Sequence, residues 1–134
     1  MMRLSDIRDY IDSLGIAAHV FMGKLDAKKE RSIGVYNSKH SHDYKTAIGG
    51  PALQSYGMKY VSFLIHWNKS PRDTEDAAIL LFEVLERANE VTINNATIKF
   101  IQLLTNEPVD VGTDDAGIYE MVIEAAVIYQ KEEK

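Results

Sequence analysis

The feature that most constrains the fold is a long stretch of alternating side chains over residues 118–130. Every second residue from Tyr119 to Tyr129 is apolar or aromatic, whereas the residues between them include Glu120 and Glu124. A repeat of two residues is that of a β-strand with one face against a core. The stretch therefore predicts a long strand, and with it a sheet whose inner face must be covered.

A second alternating stretch, Lys59 to Trp67, predicts a central strand of that sheet. It leads into Ser70-Pro71-Arg72-Asp73. A capping serine, a proline at the first helical position and an acid three residues after the serine are typical of a helix start, with Asp73 as an alternative cap. Apolar residues then recur at helical spacing, so the helix is predicted to continue to about Ala88.

The remaining elements are shorter. A first helix is predicted over Ser5 to Leu14, with Ser5 as its N-cap and Gly15 as its stop. Three more strands are predicted over residues 17–22, Ser32 to Lys39 and Thr97 to Leu104, and turns or loops over residues 24–31, 40–57 and 108–117, with a further turn at Asn94-Asn95.

The predicted order of elements is helix-β-β-β-helix-β-β. Consecutive hairpins imply a mostly antiparallel sheet, so the fold class is α+β, with the long second helix packed on one face. The length of 134 residues suits one domain covering residues 1–134. The other face carries Tyr60, Leu64, Val122 and Ile128, which indicates a cover, either the first helix or a neighbouring subunit.

Composition excludes several classes of function. The chain contains no cysteine, which rules out disulfides, thiolate metal sites and a cysteine nucleophile. Its net charge of -5 and scattered basic residues argue against a duplex-binding module, and its one basic stretch, Lys24 to Arg31, includes Asp26 and Glu30. No signal peptide and no apolar run of roughly 20 residues is present. We therefore expect a soluble protein that binds no membrane.

No motif predicts a catalytic, cofactor or metal site. His40, His42 and Asp43 are close in sequence, but zinc needs three or four ligands, so we interpret them as a polar loop. Asp110, Asp114 and Asp115 do not have calcium-loop spacing and are interpreted as a solvated turn. The adjacent carboxyls of Asp114 and Asp115 are expected to keep ordinary acidities.

Two stretches resemble a known family. The first is VSFLIHWN at 61–68 followed by SPRDTEDAA at 70–78, and the second is PVDVGTDDAGIYE at 108–120. Both resemble the minor capsid proteins of tailed phages that are similar to tail terminator, or tail completion, proteins. The resemblance covers most of the chain and brings no active-site residue with it.

The resemblance implies a structural virion protein, not an enzyme, at the head-proximal end of a long tail, assembled in the bacterial host cytoplasm. It implies a ring, expected to be a hexamer, that caps the tail tube and joins it to the head. The implied partners are further copies of the chain, the major tail-tube protein and the head–tail connector protein. Genomic DNA would pass through the lumen without sequence-specific binding.

Exposure and chemistry alone suggest His40, His42, Tyr44 and Lys45 as interface residues, because loops on a rigid sheet carry function. The charged turn 24–31 is the second expected contact. One alternative is a small protein- or peptide-binding module that has no catalytic activity. Another is a small enzyme that uses His40 or His42 with Asp43.

Overall fold

Residues 1–38 and 56–131 are those that the computed structural model describes, and they form two helices and one seven-stranded sheet. The elements in chain order are α1 (Leu4–Ser13), β1 (His19–Met22), β2 (Ser32–Asn37), β3 (Tyr56–His66), α2 (Pro71–Glu86), β4 (Asn89–Ile93), β5 (Ala96–Leu103), β6 (Val109–Thr113) and β7 (Tyr119–Gln130). The predicted α+β class is confirmed.

The strand β7 organises the sheet. The strand order is β1-β2-β3-β7-β5-β4, and β6 also pairs with β7. One edge of β7 pairs with β3 along its length, from Tyr56 opposite Gln130 to His66 opposite Glu120. The other edge is shared end to end by β5 and β6. The long alternating stretch is therefore the centre of the sheet.

The first strand pair departs from the predicted hairpin. β1 and β2 are parallel, with His19 opposite Ser32, whereas the other described pairs are antiparallel. Parallel neighbours require a connection that crosses back along the sheet. Gly23, at a φ of 78°, and Arg31, at a φ of 57°, turn the chain at the two ends of this connection. The charged turn is therefore a crossover and not a hairpin loop.

Both helices pack on one face of the sheet. Buried α1 residues Ile7 and Ile11 and buried α2 residues Leu81 and Leu85 join a single core with Phe63 and its neighbours on the strands. α1 contacts β1 and β2 at one edge of the sheet and also β4 at the opposite edge. The sheet therefore curls around the helix layer.

Two helix starts test the capping predictions. The Ser70 Oγ accepts the Asp73 N–H at 3.2 Å and Pro71 is the first helical residue, so the predicted start of α2 is confirmed. The Ser5 cap is wrong, because α1 begins at Leu4 with Arg3 as N-cap. There the Arg3 N–H donates to Asp6 Oδ2 at 2.9 Å.

Two strands were not predicted. β4 follows α2 directly, and β6 lies inside the segment interpreted as an acidic turn, residues 108–117. All the residues of β6 are exposed, so it lacks the alternation that a half-buried strand shows. The predicted turn between β4 and β5 is confirmed, since Asn94 and Asn95 have φ values of 51° and 65°.

Candidate interaction surface

The face of the sheet opposite the helices is here called the open face. The even-numbered residues of β3 and β7 lie side by side on it, as their alternation predicted. The first helix does not cover it, because Ile7, Tyr10 and Ile11 of α1 are buried in the core on the other side. The first helix, one of the two predicted covers, is therefore excluded. The two halves of the open face differ from each other and are described in turn.

One half lies beneath residues 23–31, here called the crossover segment. The Leu25 N–H donates to the Tyr36 Oη at 3.2 Å, and the Ala27 carbonyl oxygen lies 2.9 Å from His66 Nε2. Tyr36 and His66 both project from the open face, so the segment lies over that end of the sheet. The chain itself thus provides part of the cover that the apolar pattern indicated.

His66 is a fully buried ionisable side chain beneath the crossover segment. Its Nδ1 lies 2.8 Å from Glu120 Oε2 and 3.9 Å from Asp114 Oδ2, and its Nε2 faces the Ala27 carbonyl. Both ring nitrogens therefore have protein partners, and the ring has no surface that a substrate can reach. The sequence placed His66 and Glu120 on one face but had no signal that they are paired, because β3 and β7 are distant in sequence.

Asp114 holds the turn that leads into β7. Its Oδ1 accepts the backbone N–H groups of Ile118 and Ala116, each at 2.9 Å. The hydrogen bond from Ile118 is the main cause that lowers the pKa of Asp114, and the bond from Ala116 and the charge of His66 lower it further. The expectation of an ordinary acidity is wrong for Asp114, because an Asx-type turn is not visible from composition.

The other half of the open face carries two large apolar side chains that remain half exposed. Met58 is 51% exposed and Phe100 is 50% exposed. They stand on either side of Ile128 across three neighbouring strands, and Ile128 between them is 8% exposed. We call these three residues the sheet-end patch. Large apolar side chains left exposed close together favour contact with another molecule.

A second apolar surface lies on the outer side of α2. Ile79 and Leu80, here called the helix patch, are 40% and 51% exposed. Exposed Glu75, Asp76 and Glu83 surround them along the helix. An apolar centre with a charged rim is the usual composition of a protein interface. The sequence signal that could have revealed this patch is the unbroken apolar run at 77–82, because it is wider than one buried helix face.

The predicted interface residues His40, His42, Tyr44 and Lys45, together with Asp43, lie outside the described residues. Among residues 1–38 and 56–131, no three His, Asp or Glu side chains form a group that could hold a metal ion. Neither described helix is long and apolar enough to cross a bilayer.

Comparison with known proteins identifies the family. No curated protein matches the chain. The family model described as bacteriophage tail terminator protein matches residues 6–131, which confirms the predicted resemblance to tail terminator proteins. A structural protein of the phage tail, associated with the virion, agrees with the exposed apolar patches on the described part of the chain. The chain belongs to the bacteriophage tail terminator family.

Proposed function

We propose that this protein is a non-enzymatic ring subunit that caps the tail tube at its head-proximal end and joins it to the head connector. Its membership of the tail terminator family supports this role. The observation that carries the proposal is the sheet-end patch, because large side chains such as Met58 and Phe100 remain half exposed on the isolated chain. Contact with another subunit would remove them from water.

The positions of the two patches suggest how copies meet. The sheet-end patch lies on the open face, and the helix patch lies on the opposite side of the molecule, because α2 packs against the other face of the sheet. Two different surfaces on opposite sides favour a heterologous contact, in which one patch of each copy meets the other patch of the next. Such contacts close into a ring when the rotation between copies is suitable, as in a hexamer.

The other proposed partners are the major tail-tube protein on one side of the ring and the head–tail connector protein on the other. The crossover segment, which connects β1 to β2, and residues 40–45, which lie between β2 and β3 in the chain, remain proposed contacts for them, because the connecting segments of a rigid sheet often carry function. Genomic DNA would pass through the lumen. A chain with a net charge of -5 does not favour phosphate binding there.

Replacement of one apolar residue in each patch tests the ring contact. We expect Phe100→Asp and Leu80→Asp each to weaken self-association about tenfold or more, because each places a charge in a buried interface. Sedimentation velocity and negative-stain microscopy, with and without tail tubes, measure the assemblies. Thr92→Asp is the matched control, because Thr92 is exposed on β4 outside both patches.

Mixing the two variants distinguishes a heterologous contact from a symmetric one. Each variant keeps one intact patch, so the mixture should form pairs that cannot extend, and neither variant alone should do so. Far-ultraviolet circular dichroism checks that both variants are folded. Rings or tube caps that form equally well with wild type, Phe100→Asp and Leu80→Asp would contradict the proposal.

A further inference from the structure

Hydrogen bonds along its whole length hold the crossover segment to the sheet, beginning with the Gly23 N–H, which donates to the Val35 carbonyl at 2.9 Å. Near its start, the Leu25 N–H donates to the Tyr36 Oη, and at its end the Arg31 N–H donates to the Trp67 carbonyl at 2.8 Å. Between them, the Ala27 carbonyl faces His66 Nε2 at 2.9 Å. The middle of the segment is therefore tied down by a buried imidazole ring, whose hydrogen-bonding pattern depends on the protons it carries.

The partners of His66 determine how many protons this arrangement contains. A carbonyl oxygen only accepts hydrogen bonds, so Nε2 must carry a hydrogen to bond Ala27. The 2.8 Å contact between Nδ1 and Glu120 Oε2 needs a second proton between those two atoms. An imidazolium facing a carboxylate and a neutral imidazole facing a protonated carboxyl group contain the same two protons. Free in water near pH 7.5, the two side chains together contain about one.

The polar and charged groups around the His66 imidazole come from several neighbouring elements. β7 contributes Glu120 and the turn before it contributes Asp114, both on the Nδ1 side. β2 contributes Ser32, which is uncharged and donates its hydroxyl to the Lys29 carbonyl at 2.7 Å. The charged residues of the surrounding rim are Lys28, Lys29 and Glu30 on the crossover segment, Lys69 after β3 and Asp115 in the turn before β7.

We propose that the His66–Glu120 pair is a proton-operated latch that keeps the crossover segment closed over the open face and releases it as the pH rises. Loss of the second proton leaves two acceptors in contact, either at Nδ1 and Glu120 or at Nε2 and Ala27. Because a closed state with two acceptors in contact is less stable than the doubly protonated one, deprotonation and opening are coupled.

The sign of the effect follows from the proton count. The closed state binds one proton more than the open state above about pH 6.5, where a free imidazole is neutral. The equilibrium constant for opening should therefore rise up to about tenfold per pH unit above that value. The latch does not depend on ring formation, so the isolated full chain is the material for the test.

Amide hydrogen exchange can be measured by NMR from pH 6.5 to 8.5. The observed exchange rate divided by the rate of an unprotected amide at the same pH gives the equilibrium constant for opening. The Leu25 and Arg31 amides report on the crossover segment. The Trp67 amide, which donates to the Tyr119 carbonyl at 3.2 Å, is the internal control on the body of the sheet. We expect protection to fall with pH at Leu25 and Arg31, and to fall much less at Trp67.

Glu120→Gln is the decisive variant. A glutamine NH2 group donates to an unprotonated Nδ1 while neutral His66 keeps its Nε2 hydrogen for Ala27, so the second proton is no longer needed. The segment should then stay closed with little dependence on pH. Glu124→Gln is the matched control, because Glu124 lies on the same strand and face and its carboxylate accepts a hydrogen bond from the Ser62 hydroxyl at 2.6 Å. This variant should keep the wild-type dependence of the opening constant on pH.

Any of three results would overturn the latch. The first is a wild-type opening constant that does not change between pH 6.5 and 8.5, and the second is a Glu120→Gln slope equal to that of wild type. The third needs no variant, so it remains decisive if Glu120→Gln fails to fold: NMR chemical shifts of the His66 ring nitrogens and the Glu120 carboxyl carbon at pH 7 that show a singly protonated ring beside an ionised carboxylate.

Discussion

Two tyrosine rings lie where glycine leaves room for them. A Cβ added at Gly57 would stand within 3.0 Å of the Tyr129 ring, and one at Gly34 would stand within 3.0 Å of the Tyr36 ring. Tyr129 is 8% exposed and packed in the core, so its ring cannot move into water, whereas Tyr36 is only partly buried. Gly57 is therefore needed for a close approach between neighbouring strands rather than for a turn.

We expect Gly57→Ala to lower the free energy of unfolding by ~1–3 kcal/mol, because the added methyl group overpacks the site under Tyr129. Urea unfolding of the purified chain measures the change. Gly34→Ala is the comparison and should cost less, because the partly buried Tyr36 ring can shift at the expense of its hydrogen bond from the Leu25 N–H. The Gly57→Ala cost should shrink in a Tyr129→Leu background, and an equal cost in both backgrounds would contradict this explanation.

Among the elements, the sequence predicted those whose signals are local. The helix start at Ser70 and the alternation of β3 and β7 depend on neighbouring residues, and both are confirmed. β6 was missed because it is exposed throughout, and the parallel β1–β2 pair because no local pattern distinguishes a crossover from a hairpin loop. The sheet-end patch combines residues of β3, β5 and β7. Predicting it would require the order of the strands in the sheet, which cannot be read from a single sequence.

The cap of α2 gives a prediction at this scale. Ser70→Ala removes the side-chain oxygen that accepts the Asp73 N–H, and should lower the free energy of unfolding by ~1 kcal/mol. Ser5→Ala is the control, because Ser5 lies inside the first turn of α1 and Arg3 is the N-cap there. Alanine is a good helix former, so this change should be neutral or slightly stabilising. Thermal or urea unfolding that ranks the two variants in the opposite order would refute the assignment.

On the scale of the whole molecule, the curl of the sheet brings its far edge back to the first helix. The turn between β4 and β5 reaches α1, where Asn94 Nδ2 donates to Asp9 Oδ2 at 2.7 Å and to Asp6 Oδ1 at 3.2 Å. The hydrogen bond from Asn94 is the main cause that lowers the pKa of Asp9, and Arg8 lowers it further. One amide thus links an edge strand to two carboxylates on the helix.

We expect Asn94→Asp to lower the melting temperature at pH 7, because it places a third carboxylate against Asp6 and Asp9. The pKa of Asp9 is lowered in the folded chain, so its stabilising contact is present above about pH 4 and is lost as the pH falls. The difference between variant and wild type should therefore be smaller at pH 3 than at pH 7. Asn95→Asp, in the same turn and with a similar φ, should have little effect at either pH. Calorimetry at both pH values distinguishes repulsion from a general defect of the turn.

The position of β7 also affects how the chain folds during its synthesis on the ribosome. β7 is the strand that joins β1-β2-β3 to β5-β4, yet it is translated after all of them. Until residues 119–130 emerge, the nascent chain has two unconnected sheet fragments, and β3 and β5 each lack the neighbour they will share. Such unpaired edges invite pairing with other chains. The sheet can therefore be completed only after its other strands have been synthesised, and premature association is avoided only if β7 pairs soon after it emerges.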